Sequence, residues 1–208
     1  MSQQNRPAPN APERRAITAT QLRVSRTDGE PVRVRGYAAV FNQLSEDLGG
    51  FREQIVAGAF SERLADDVRA LINHDSNLVL GRTGPKTLSM SEDAHGLAVD
   101  IALPDTQFAR DLAVSMERGD VSQMSFAFTV AADGQAWQRD GTGPWIRTIK
   151  RVARMYDVSV VTYPAYPQTD AALRSLEEWQ RGHGATPPSD DLSLYRRRLH
   201  LHQLQATG

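Results

Sequence analysis

The sequence contains no cysteine among its 208 residues. This absence excludes disulfide bonds, thiolate zinc sites, iron–sulfur clusters and a cysteine nucleophile, and it fits a reducing compartment. No apolar run approaches the ~20 residues of a membrane-spanning helix. The polar start MSQQNRPAPNAPERR also lacks the apolar segment of a signal peptide. The net charge of -1 gives no overall indication of a nucleic-acid or membrane partner. We therefore expect a soluble cytoplasmic protein that needs neither.

Several common functional motifs are missing as well. GxSxG does not occur, which argues against the nucleophile turn of the α/β-hydrolases. The stretch LGRTGPK lacks the spacing and the following helix of a phosphate-binding loop. His74, Asp75 and His95 match no zinc-ligand spacing. We expect no metal ion and no cofactor.

The pattern of hydrophobic residues predicts a mainly β fold. Short β-forming runs recur along the chain between turn residues, as in KTLSMSED and GLAVDIALP around a turn at residues 93–96. Two helices are predicted, one in GAFSERLADD and one in DTQFARDLAVSMERGD, which Asp105 would cap and Gly119 would end. The predicted fold class is mainly β with flanking helices (α+β). We expect a closed or nearly closed antiparallel β-barrel wrapped by helices.

Composition divides the chain into four parts. Residues 1–16 are polar and proline-rich and are predicted to form a disordered arm. Residues 17–178 form the β-rich domain, and residues 179–192 a linker. Residues 193–208 are basic and amphipathic. They are interpreted either as a frayed terminal helix or as a docking element.

Ser125 lies in the stretch GDVSQMSFAFTV, which alternates as a strand. Met124, Phe126 and Phe128 fall on one face, and Ser125 and Ala127 fall on the other. Taken alone, a serine within a strand is most often structural. The alternative is a nucleophile held on a rigid element.

His74 and Asp157 are the side-chain types that a serine nucleophile requires. His74 ends an apolar strand beside a stretch of turn-forming residues, where catalytic bases are often held. Asp157 lies within the apolar run MYDVSVVTYP, where a carboxylate needs a partner. A base within hydrogen-bond reach activates a serine, and an acid orients that base. His95 lies in a predicted turn and is interpreted as a surface residue, as are the three histidines near the C-terminus, His183, His200 and His202.

Five segments, in order between about residues 33 and 173, resemble the HK97-type phage prohead (capsid maturation) protease family. They are RGYAAVFN, FREQIVAGAF, LINHDSNLVLGRT, GLAVDIALPDTQFARDLAVSMERGDVSQMSFAF and YDVSVVTYPAYPQTDA. The resemblance implies a serine protease with a fold similar to the herpesvirus assembly proteases, a β-barrel wrapped by helices. It implies that His74 is the base and Ser125, in MSF, is the nucleophile.

The third member of the implied site departs from the family pattern. The family usually has a glutamate before VSVV, where this chain has Asp157, which is one methylene shorter. Either the backbone compensates or Asp157 is not the orienting acid. Herpesvirus relatives use a second histidine, which makes His95 the reserve. Backbone N–H groups near Gly81 and Arg82 are the candidate oxyanion donors.

The resemblance also implies partners and a location. The substrates would be the scaffold segment of the major capsid protein and the protease itself, inside the assembling procapsid in the host cytoplasm. The portal protein and a second copy of the chain are further candidate partners, with no nucleic acid, membrane or cofactor required. Two alternatives stay open, a non-catalytic capsid assembly or scaffolding protein on the same fold and a β-barrel binding module unrelated to phage.

Overall fold

The computed structural model describes residues 12–17, 22–48, 50–139, 141, 143–163 and 170–182. The described part is built mainly from strands, with two α-helices and one short 3₁₀ turn at Ser61–Arg63. The strands are β1 (Glu13–Ile17), β2 (Arg23–Ser25), β3 (Arg33–Val40), β4 (Phe51–Ile55), β5 (Arg69–Ile72), β6 (Asp75–Arg82), β7 (Leu88–Glu92), β8 (Gly96–Ala102), β9 (Gln123–Val130), β10 (Gln135–Arg139), β11 (Trp145–Ile149) and β12 (Val152–Val161). The helices are α1 (Gln107–Glu117) and α2 (Asp170–Gly182).

The strands form three sheets. The five-stranded sheet has the order β1-β9-β12-β5-β6, the four-stranded sheet β2-β3-β8-β7 and the three-stranded sheet β10-β11-β4. The prediction of a mainly β, α+β fold is confirmed. The prediction of antiparallel pairing throughout is wrong, because β12 pairs with β5 and β11 pairs with β4 in parallel. None of the three sheets closes on itself within the described residues, so the predicted barrel is not confirmed.

Two hydrophobic clusters hold the sheets together. The main core collects buried side chains from the five-stranded and four-stranded sheets and from α1. A smaller cluster joins Leu176 of α2 to Phe51 and Trp137 of the three-stranded sheet. Met124, Phe126 and Phe128 all lie in the main core with no exposed surface, as the alternation of β9 predicts. Burial of these three side chains fixes β9 firmly in the sheet.

The helices differ from the predictions in three ways. GAFSERLADD forms only the 3₁₀ turn, and α2 was not predicted. The helix α1 begins one residue later than expected. Thr106 is its N-cap residue, while the Asp105 carboxylate pairs with Arg110 instead. Gly119 ends α1 as predicted, with φ +84°. Because α2 runs to Gly182, residues 179–182 are helical rather than part of a linker. No helix in the described ranges is long and apolar enough to cross a membrane.

The N-terminal strand β1 corrects the predicted boundary of the disordered arm. Residues 13–16 belong to β1, which pairs antiparallel with β9 and places Ala16 opposite Ser125. Residues 1–11 of the predicted arm lie outside the described residues. The predicted linker beyond residue 182 and the basic segment at residues 193–208 lie outside them too. The strand β1, which flanks Ser125, therefore comes from a segment whose polar sequence predicted disorder.

Four charged side chains, which we call the buried charge cluster, attach β1 to the three-stranded sheet. They are Glu13 and Arg15 of β1, Glu53 of β4 and Arg147 of β11, all at most 5% exposed. Arg15 donates to both glutamates at 2.7–2.9 Å, and Arg147 donates to both at 2.6–2.9 Å. Two arginines and two glutamates give a net charge of zero. Each charge therefore has a partner that offsets part of its desolvation cost.

Candidate active site

Ser125 lies in the middle of β9, between β1 and β12. Its register partners are Ala16 on β1 and Ser159 on β12. Its side chain is on the face opposite Phe126, whose ring stacks on Phe128 with centroids 4.9 Å apart. This second face is also covered, since Ser125 has no exposed surface. The hydroxyl is therefore held on a strand that is buried on both sides.

His74 lies in the turn of the β5–β6 hairpin rather than at a strand end beside an irregular loop. Asn73 and His74 have φ of 51° and 58°, and Ile72 pairs with Asp75 across the two-residue turn. Two central residues with positive φ are typical of a type I′ hairpin turn. For histidine this conformation is uncommon and costs energy, and such residues cluster at functional sites. The turn projects the imidazole back toward β12 and β9.

Asn73 anchors this turn to the end of β12. Its side-chain oxygen accepts a hydrogen bond from the backbone N–H of Thr162 at 2.9 Å, and its side-chain nitrogen donates to Thr162 Oγ1 at 3.3 Å. Its backbone N–H donates to the carbonyl of Val160 at 2.9 Å. Three hydrogen bonds to one strand end therefore offset the strain of the turn. They also fix the position of the adjacent His74 backbone, from which the imidazole projects.

The structure brings Ser125, His74 and Asp157 together in a hydrogen-bonded row. His74 Nε2 is 2.7 Å from Ser125 Oγ, and His74 Nδ1 is 2.6 Å from Asp157 Oδ1. A carboxylate only accepts hydrogen bonds, so Nδ1 carries the proton and Nε2 accepts the proton of the serine hydroxyl. This is the tautomer that a general base for a serine nucleophile requires.

A β-bulge in β12 places Asp157 on the same face as Ser125. Met155 pairs with Phe128 and Asp157 pairs with Ala127, so that Tyr156 is an extra residue between two successive pairs. Ala127 is two residues from Ser125 on β9 and therefore shares its face. The Asp157 carboxylate thus reaches His74, although the aspartate side chain is shorter than a glutamate. The bulge at the preceding residue, Tyr156, is the backbone irregularity that turns it toward the histidine.

Ser159 is a fourth polar residue of this site that the sequence prediction missed. Its hydroxyl donates to Asp157 Oδ1 at 2.7 Å and lies 3.3 Å from His74 Nδ1, with no exposed surface. The available signal was strand periodicity, because Asp157 and Ser159 are two residues apart on β12. The side chains of His74 and Asp157 are only 5% and 12% exposed. Such a shielded environment strengthens the hydrogen bonds among them.

The structure does not bring the candidate oxyanion donors to Ser125. Gly81 and Arg82 lie on β6, and β5 and β12 separate that strand from β9. Three strand spacings correspond to roughly 14 Å along the sheet. The Arg82 N–H already donates to Thr87 Oγ1 at 2.9 Å, and its guanidinium pairs with Asp67. The expectation that these two amides stabilise an oxyanion at Ser125 is not met.

His95, the reserve third member, is also apart from the row. It lies exposed in the turn between β7 and β8, and its ring packs against Tyr37 with centroids 4.5 Å apart. Among the described residues no hydrogen bond joins His95 to His74, whose Nδ1 already faces Asp157. The described residues also contain no group of three or more potential metal-ligating side chains of His, Cys, Asp or Glu. His183, His200 and His202 lie outside the described residues.

Comparisons with known proteins identify the family. Residues 19–181 match the family model described as caudovirus prohead serine protease. The chain is 31% identical over 185 residues to the prohead protease of enterobacteria phage HK97, and the match covers 82% of this chain and 76% of that relative. The solved structure of the bacteriophage T4 capsid assembly protease matches 71% of this chain and 99% of its own length, with 9% identity and a TM-score of 0.44. The chain belongs to the caudovirus prohead serine protease family, whose members are serine proteases of phage capsid maturation.

Proposed function

We propose that Ser125, His74 and Asp157 are the nucleophile, the general base and the orienting acid of this protease. The observation that supports the proposal is the row of two short hydrogen bonds, from Ser125 Oγ to His74 Nε2 and from His74 Nδ1 to Asp157 Oδ1. A purely structural serine in a strand has no need of a histidine held in a strained turn. The row therefore favours the catalytic interpretation over a non-catalytic assembly protein.

The geometry suits acyl transfer through a covalent intermediate. Ser125 Oγ attacks the carbonyl carbon of the scissile peptide while His74 Nε2 takes the hydroxyl proton. Asp157 stabilises the imidazolium that forms. The tetrahedral intermediate collapses to an acyl-enzyme, and His74 delivers its proton to the leaving amine. Water then attacks the ester with His74 again as base, which releases the new carboxyl end and regenerates Ser125. No step in this sequence calls for a metal ion or cofactor.

We propose that the substrates are the scaffold segment of the major capsid protein and the chain itself, within the assembling procapsid in the host. Membership of the prohead protease family supports this proposal. The candidate segments for self-cleavage are the polar, proline-rich residues 1–11 and the chain beyond α2. The portal protein and a second copy of the chain remain candidate partners.

A nearly closed barrel built from the five-stranded and four-stranded sheets also remains a proposal. Two observations support it. The sheets share one core, and the Thr87 N–H just before β7 donates to the carbonyl of Arg82 at the end of β6. These strands are the edges of the two sheets.

Co-expression of the chain with the major capsid protein of the same phage tests the function. Mass spectrometry of the capsid protein should find a cleaved product with the wild-type chain and none with Ser125→Ala or His74→Ala. Ser91→Ala, on an exposed position of β7, and His95→Ala are the matched controls and should cleave normally. Normal cleavage by Ser125→Ala and His74→Ala would refute the assignment. Loss of cleavage in His95→Ala with normal folding would instead return His95 to the site.

A further inference from the structure

Ser159 contacts the same carboxylate oxygen that holds the histidine. Asp157 Oδ1 accepts one hydrogen bond from His74 Nδ1 at 2.6 Å and a second from Ser159 Oγ at 2.7 Å. Ser159 is the register partner of Ser125 across β9 and β12, and both side chains lie on one face of the sheet. Two buried hydroxyls therefore lie at opposite ends of one imidazole.

The two serines differ in which ring nitrogen they approach. Ser125 lies at Nε2, the nitrogen free to take a proton, whereas Ser159 lies 3.3 Å from Nδ1, which already donates to Asp157. Ser159 therefore has no base for its proton and does not qualify as a nucleophile. Its hydroxyl hydrogen is used in the bond to the carboxylate.

We propose that Ser159 is a positioning residue that fixes the carboxylate of Asp157 toward His74. This proposal rests on the proposed function of the Ser125, His74 and Asp157 row. The terminal torsion of an aspartate is broad, so one hydrogen bond leaves the carboxylate free to swing. A second donor on the same oxygen holds Oδ1 in the plane of the imidazole. It also stabilises the negative charge that orients the ring.

Removal of this hydroxyl is expected to slow the chemical step rather than binding. Ser159→Ala should lower kcat about 10- to 100-fold, the effect of one hydrogen bond to a charged group. KM should change little, because Ser159 is fully buried and lies at the Nδ1 side of the imidazole, opposite the nitrogen that faces Ser125. Ser159→Thr keeps the hydroxyl and should retain most activity. Ser159→Val has the shape of threonine without the hydroxyl and should lose activity as Ser159→Ala does.

Two measurements separate this role from a merely structural one. The first is the rate at which an alkyl fluorophosphonate labels Ser125, compared with that of Val158→Ala. Val158 is a fully buried neighbour on the opposite face of β12, so its truncation lowers stability without touching the row. The second is the far-downfield proton resonance of the His74 Nδ1 to Asp157 Oδ1 hydrogen bond. It is recorded on full-length Ser125→Ala protein, so that the chain does not cut itself.

The proposal is supported if Ser125 is labelled slowly in Ser159→Ala and Ser159→Val but at the normal rate in Ser159→Thr and Val158→Ala. It also requires that the proton resonance shift when Ser159→Ala is added to the Ser125→Ala protein. Labelling of Ser159→Ala at the wild-type rate, or an unmoved resonance, would overturn it. If Ser159→Ala does not fold, the labelling rates of Ser159→Thr and Ser159→Val are compared instead, and equal rates would overturn the proposal. If no Ser159 variant folds, a crystal structure of the full chain decides, because an Oγ turned away from Asp157 refutes the proposal. A wild-type chain that labels no faster than Ser125→Ala would instead refute the proposed function.

Discussion

Removal of the Arg147 guanidinium is expected to destabilise the protein by about 3–5 kcal/mol, the usual cost of leaving a buried charge without its partner. Arg147 is 1% exposed and donates to Glu13 and Glu53, while its Nε donates to Gln135 at 2.7 Å. In Arg147→Met both buried carboxylates would share Arg15 alone. The buried charge cluster would change from neutral to a net charge of -1.

A double variant tests whether charge imbalance is the cause. Arg147→Met combined with Glu53→Gln leaves Glu13 and Arg15, which are again neutral. This variant should recover about 2 kcal/mol of the loss, because the unpaired carboxylate is the most costly group left behind. The assay is urea unfolding at neutral pH, with every variant made in Ser125→Ala protein to prevent self-cleavage.

A surface pair provides the control for this experiment. Arg26 pairs with Glu117 at 2.7 Å, but their side chains are 51% and 41% exposed. Arg26→Met should therefore cost no more than about 1 kcal/mol. If Arg147→Met costs no more than Arg26→Met, the buried cluster does not hold β1 in place. If the double variant is less stable than Arg147→Met alone, the reasoning from charge balance is refuted.

Three further predictions concern the site and its support. Asp157→Asn should lower kcat about 10⁴-fold with the fold intact by circular dichroism, because an amide neither fixes the required tautomer nor stabilises the imidazolium; near-wild-type activity would contradict its role. Asn73→Ala should lower the free energy of unfolding in urea by about 1–3 kcal/mol and lower kcat, because it removes two hydrogen bonds to Thr162 and strains a positive-φ position. Unchanged values would show that Asn73 does not anchor the turn. Burial raises the pKa of Glu13, but the hydrogen bonds and charges of Arg147 and Arg15 together outweigh it and hold that pKa below its ordinary 4.5. The resulting stabilisation is present above pH 4.5 and lost as the pH falls through the lowered pKa, so Glu13→Gln should flatten the acid side of the stability curve.

The parts of the site that depend on local pattern could be predicted from the sequence. The alternation of Met124, Phe126 and Phe128 placed Ser125 on the other face of β9, and the structure has all three in the core. The residue types of His74 and Asp157 indicated a base and an acid. These inferences needed only strand periodicity and the chemistry of a serine nucleophile.

The parts that depend on long-range pairing could not be predicted. The strand β5, which carries the His74 turn, lies beside β12 through a parallel pairing of segments more than 80 residues apart. The polar sequence of β1 indicates a disordered arm, because its two buried charges, besides pairing with each other, need partners in β4 and β11. No property of a short segment reports a partner of that kind. The same limit explains the error over Gly81, whose strand is three places from β9.

The bulge at Tyr156 explains how one strand serves both the core and the site. In regular pairing from Met155 onward, Tyr156 would lie opposite Ala127, and Asp157 would lie on the core face with Phe126. The extra residue reverses that parity, so Met155 stays in the core while Asp157 points to His74. The backbone therefore brings the Asp157 carboxylate within 2.6 Å of His74 Nδ1 without the missing methylene. The structure thus favours the first of the two explanations that the Asp157 substitution left open, in which the backbone compensates for the missing methylene.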